Sequence, residues 1–202
     1  MSKCELKSYN AKRAKIFGKR LTNVQKLISI RSFPETHSEF KFSDRYKKVS
    51  FSATLEDGCK CARFKLIEYS HERERWDTTK IPMNDLEEDN AWLRACITAN
   101  LPIDWLYPEP LTGRRSYYGF NAIPYDLIGQ LCHATKLKIW KPSKNKTWCS
   151  KAVSKVICEG RKDFLVLLER FKLMEELRPD QLAMMARYFF IPNYVNVDGL
   201  VL

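Results

Sequence analysis

Apolar side chains recur at every second position along much of residues 36–69. Phe40 and Phe42 alternate with Glu39, Lys41 and Ser43, and Val49, Phe51 and Ala53 alternate with Ser50, Ser52 and Thr54. Ala62, Phe64, Leu66, Ile67 and Tyr69 continue the run. Asp44-Arg45-Tyr46-Lys47 and Glu56-Asp57-Gly58 supply the turns, so the segment predicts an antiparallel meander. Trp76 to Ile81 reads as a further short strand closed by Pro82.

Elsewhere the period lengthens. Residues 10–30 carry Ala14, Phe17, Leu21, Val24, Leu27 and Ile28 at three- and four-residue spacing, which predicts a basic amphipathic helix. Ser32-Phe33-Pro34-Glu35 ends it. Asn84-Asp85-Leu86-Glu87-Glu88-Asp89 opens a second helix with an acidic first turn, its buried stripe read as Leu86, Trp92, Leu93 and Cys96. Residues 100–121, with Pro102, Pro108, Pro110, Gly113 and Gly119, read as a long aromatic loop. Tyr125 to Cys132, Cys149 to Cys158 and residues 163–176 read as helices. Another starts at Arg178-Pro179, with proline suited to the first turn, and the tail from Ile191 reads as extended. The expected fold class is α+β, an antiparallel sheet packed on helices. The expected organisation is a basic helical arm over 1–33, one folded domain over 34–190 and an extended tail over 191–202.

The 202-residue length suits one such domain with a substantial core. No apolar run approaches the length of a membrane span, and Met1-Ser2-Lys3-Cys4-Glu5-Leu6 lacks the apolar stretch of a secretory signal. A cytoplasmic or virion-associated protein with no signal peptide and no membrane span is expected. Its seven cysteines are then expected to stay reduced. The net charge is +11, and residues 1–31 hold nine lysines and arginines against Glu5 alone. That arm suits an acidic protein surface or nucleic acid, and charge alone does not choose between them.

Three features bear on chemistry. His37 and Glu39 stand two apart on a strand and share a face, so the carboxylate can orient the imidazole. Ser52 on the next strand is another candidate orienter. Cys149 lies at the start of a helix after a lysine-rich loop, where the backbone dipole favours thiolate. On spacing alone, His37 also reads as a solvated edge-strand residue and Cys149 as a buried core thiol. His71 reads as part of a charged turn and His133 as a helix-end residue. Cys59 and Cys61 have one residue between them, short of zinc-knuckle spacing, and a second such pair is absent. Neither a phosphate-binding glycine loop nor a common nucleic-acid-binding motif occurs. No metal and no cofactor are expected.

In order along the chain, several blocks resemble circularly permuted NlpC-type papain-like cysteine hydrolases, closest in pattern to phage-encoded and YiiX-like members. They are His37-Ser38-Glu39-Phe40-Lys41-Phe42-Ser43-Asp44, Val49 to Gly58, Ala62 to Ile67, Trp76-Asp77 with Ile81-Pro82, Tyr125-Asp126-Leu127-Ile128-Gly129, Trp148-Cys149-Ser150-Lys151 and Leu177 to Leu182. The resemblance spans roughly residues 36–187 and implies a permuted papain-like core over the 34–190 domain. It implies Cys149 as nucleophile, His37 as general base, Glu39 as its orienter, and Tyr125, Ser52 and Trp148 near the substrate. The implied substrate is a peptide or acyl compound, with cell-wall peptide foremost. Lys151 stands where many members have glutamate, and the 100–121 loop replaces a short connection. The alternative is a catalytically silent structural or binding protein on the same fold, a phage virion component docking through its basic arm.

Overall fold

The computed structural model describes residues 2–16, 26, 34–55, 59–67, 69, 75–105, 116–127, 145–173 and 177–192. Five strands form one antiparallel sheet: β1 (Ser2–Asn10), β2 (Glu35–Lys41), β3 (Ser50–Thr54), β4 (Cys61–Lys65) and β5 (Trp76–Met83). Their order is β4-β3-β2-β1-β5. The helices are α1 (Ala11–Ile16), α2 (Asp85–Ala99), α3 (Cys149–Gly160), α4 (Lys162–Arg170) and α5 (Pro179–Phe190). The mixed architecture is α+β, as the patterns predict.

Residues directly opposite in neighbouring strands share a face of the sheet. One row runs Leu6–Phe40–Phe51–Phe64 across β1 to β4. All four side chains are fully buried, and they join Trp92 and Cys96 of α2, Val153, Val156 and Ile157 of α3, and Leu182 and Met185 of α5 in the main core. Alternation thus placed the strand residues of the core correctly. In α2 the stripe is rotated from the expected one. Leu86 is 70% exposed, whereas Glu88 is buried. Glu88 is held there by the Ser43 backbone N–H and hydroxyl, at 2.8 and 2.9 Å, which cap the turn after β2.

The N-terminus differs from the expectation. Ser2–Asn10 is not part of a detached arm but a strand between β2 and β5, so the separation of residues 1–33 from the sheet domain is corrected there. Cys4 and Leu6 alternate with Glu5 and Lys7, and only the first pair faces the helices. Of the basic helix expected over 10–30, Ala11–Ile16 is described, and most of the rest lies outside the described residues. Pro82 lies inside β5 and does not close it, tolerated because β5 is an edge strand. The helix expected over 163–176 ends at Arg170, with Lys172 in the left-handed region at φ 54°. Among the described residues no helix is long and apolar enough to cross a membrane.

Candidate active site

The opposite face of the sheet is polar. Lys7, Glu39 and Thr78 form one cross-strand row and Tyr9, His37 and Trp76 the next. Arg63 joins this face through its pairing with Ser52. Burial of so many polar groups demands partners, and Glu39 is where they converge. Its side chain is 2% exposed. Arg63 donates to both its oxygens, at 2.8 and 3.2 Å, and the Tyr69 hydroxyl donates at 3.4 Å. The His37 Nε2 lies 3.0 Å from Glu39 Oε1. Burial would raise the Glu39 pKa, but the Arg63 charge and the His37 hydrogen bond outweigh it and hold the carboxyl at about 2.

β2 and β3 pair only at Phe40–Phe51 and Lys41–Ser50. Towards Glu35, β2 is paired with β1 alone, with a register shift at Tyr9/Asn10. The parting is spanned by the Ser52 hydroxyl, which donates to the Ser38 carbonyl at 2.6 Å. α3 packs on both strands, and its first residue, Cys149, meets the unpaired edge of β2 at His37. Burial works against the His37 imidazolium. The negative charge of Cys149 and a side-chain hydrogen bond with it, then the bond and charge of Glu39, lift the pKa from 6.5 to about 10. A thiol and a carboxylate therefore both act on one imidazole, and Arg63 holds the carboxylate.

The thiol lies at the positive end of a 12-residue helix whose N-cap, Trp148, supplies no side-chain capping bond. Two hydrogen bonds fix that end: the Trp148 Nε1 donates to the Leu177 carbonyl at 3.1 Å, and the Ser150 hydroxyl donates to the same oxygen. Cys149 is itself fully buried, and His37 keeps 16% of its side chain exposed.

The remaining expected residues fall as follows. Tyr125 forms a parallel bridge with Thr147, two residues before Cys149, and is half-buried. Trp148 is fully buried, its indole hydrogen-bonded and its ring 5.0 Å from the Lys151 Nζ. It anchors α3. Ser52 is likewise fully buried, and its hydroxyl serves the Ser38 carbonyl and not His37. His71 and His133 lie outside the described residues, as does the Tyr125–Cys132 helix beyond Leu127. Among the described residues no three His, Cys, Asp or Glu side chains are grouped to hold a metal ion.

Arg63, Tyr69 and Trp76 were not anticipated as site residues. Trp76 sets its ring edge against His37, centroids 6.1 Å apart, and packs on Tyr9 and Tyr69. Beside them on the polar face is a cavity of about 840 Å³, lined in part by Glu5, Lys7, Lys41, Tyr69, Trp76 and Thr78. Lys7 is 8% exposed, bonded to Thr78 at 2.9 Å and paired with Glu5 at 2.9 Å. Basic residues of β1 thus serve the sheet as well as the surface. Comparison with protein-family models, with curated proteins and with solved structures finds no match to this chain.

Proposed function

We propose that this protein is a cysteine hydrolase of the amidase or peptidase type, built on a permuted papain-like core. Cys149 is its nucleophile, His37 its acid–base and Glu39 the group that orients His37. What supports it is that Cys149 and Glu39 both act on His37: together they raise its pKa, and its Nε2 is held 3.0 Å from Glu39 Oε1. The imidazolium, stable to about pH 10, keeps a positive charge beside the sulfur at neutral pH. In the reaction the Cys149 thiolate attacks an acyl carbon. Backbone N–H groups at the start of α3 stabilise the oxyanion, and His37 gives its proton to the leaving group. Water then attacks the thioester, with His37 accepting its proton.

A peptide or acyl substrate would approach the buried sulfur past the partly exposed His37, whose neighbour Trp76 also lines the cavity on the polar face. Cell-wall peptides are the first class to test, followed by acyl esters and thioesters. Incubation with each, followed by mass spectrometry, is expected to show cleavage by the wild type and none by Cys149→Ala. Equal turnover by Cys149→Ala and wild type would contradict the assignment. Turnover by neither leaves the pairing of Cys149 with His37 to be judged by thiol reactivity.

A further inference from the structure

A pair of thiols distinct from Cys149 lies at the start of β4. Cys59 and Cys61 are fully buried and 8% exposed, and their sulfurs are 3.5 Å apart. Side chains two apart in a regular strand point to one face but stand further apart than this, so the close approach comes from Cys59 lying just before the strand. They share a small apolar cluster with Ala122. The segment is pinned between and just after the two cysteines: the Lys60 carbonyl accepts from the Tyr125 N–H at 2.8 Å, and the Ala62 N–H donates to the Ile123 carbonyl at 3.0 Å.

We propose that Cys59 and Cys61 are a redox couple that converts between dithiol and disulfide by exchange with an external low-molecular-weight disulfide. The sulfurs need to close by less than their present separation to reach the ~2.05 Å of an S–S bond. Cys61, the more exposed, loses its proton to solvent, a step slowed by the Cys59 contact and burial that push its thiol pKa up, and as thiolate attacks a sulfur of the external disulfide. That bond breaks, one small thiol leaves, and a mixed disulfide remains on Cys61. Cys59, losing its proton to solvent, attacks the Cys61 sulfur and expels the second small thiol. Two protein thiols and one external disulfide thus become one protein disulfide and two external thiols. Among the described residues the pair has no third His, Cys, Asp or Glu grouped with it for a metal. The inference rests on these two thiols and is independent of catalysis at Cys149.

Lys60 makes the test direct, because trypsin cuts between the two cysteines. The full chain is equilibrated with graded ratios of oxidised to reduced glutathione, trapped with N-ethylmaleimide, and digested without reduction. The expected product is a disulfide-linked pair of peptides joining Cys59 to Cys61, rising with the ratio, with little glutathione on either residue. Cys59→Ser is expected to accumulate glutathione on Cys61, and Cys61→Ser to leave Cys59 unmodified. A lasting glutathione adduct on Cys61 of the wild type, or both thiols still reduced at ratios that oxidise free cysteine, overturns the proposal. The wild-type readout stands whether or not either variant folds.

Discussion

At the level of single residues the chemistry turns on Glu39. A buried carboxylate is tolerated only with charged or hydrogen-bonding partners, and here Arg63 supplies two bonds to it. Arg63→Met is therefore expected to cost about 3–5 kcal/mol, because it leaves a buried carboxylate without its cation. Urea unfolding measures this, and a loss under 1 kcal/mol would show that Glu39 does not depend on Arg63. Glu39→Gln keeps the shape and removes the charge beside His37, so the imidazolium is expected to titrate at lower pH, as read by NMR. The pairing of His37 with Glu39 on one strand face and the place of Cys149 at a helix start were legible from local facts, the period of two and the apolar pattern after Trp148. Arg63 was not. It alternates with Ala62 and Phe64 and reads as solvent-facing, and only the β3–β4 register brings it to Glu39. The Ser52 hydroxyl and the Trp148 indole likewise serve carbonyls that no local pattern reveals.

Among the elements, α2 was the most legible. Asn84 accepts from the Glu87 N–H at 2.9 Å, and the Glu87 carboxylate accepts from the Asn84 N–H at 2.7 Å. Asn84→Ala is expected to remove about 1 kcal/mol of stability. The far end of α3 meets this same helix. A Cβ on Gly160 would stand 2.6 Å from the Glu87 carbonyl oxygen and 2.9 Å from the Met83 Cε. Gly160→Ala is expected to destabilise by about 1–3 kcal/mol through that clash, despite alanine's better helix propensity. A stabilised Gly160→Ala in thermal unfolding would mean that α2 and α3 do not pack this closely. β1 was the least legible element. Cys4 and Leu6 do alternate with Glu5 and Lys7, but the basic surroundings read as an arm. What makes it a strand is the pairing with β2 and β5, distant in sequence.

For the whole molecule, β1 lies between β2 and β5 and pairs with both, so among the described residues the sheet is built around the N-terminal strand. Deleting residues 1–10 is thus expected to unfold the protein and not merely to weaken an electrostatic contact. A cooperative unfolding transition retained by the truncated chain would contradict this. The site also sets a pH profile for stability. The His37 pKa is raised above its ordinary 6.5, so its contribution is complete below pH 6.5 and is lost as pH rises towards about 10. The Glu39 pKa is lowered from 4.5 to about 2, so its contribution is complete above pH 4.5 and is lost as pH falls towards 2. Together these two groups give their greatest support between pH 4.5 and 6.5. In His37→Ala the decline between pH 6.5 and 10 should be shallower than in the wild type, as measured by denaturant midpoints.

The central claim is that Cys149 and His37 act as a pair, and thiol reactivity tests it most directly. Each cysteine would be alkylated with iodoacetamide from pH 4 to 9 and its rate read by mass spectrometry, in wild type and in His37→Ala. Burial pushes the Cys96 and Cys158 thiols up to about 12, so these two serve as slow internal references. The expected result is that Cys149 reacts at least tenfold faster than either reference at pH 6, and that His37→Ala abolishes the difference. A Cys149 that reacts like the references in both proteins would contradict the pairing and the hydrolase reading with it.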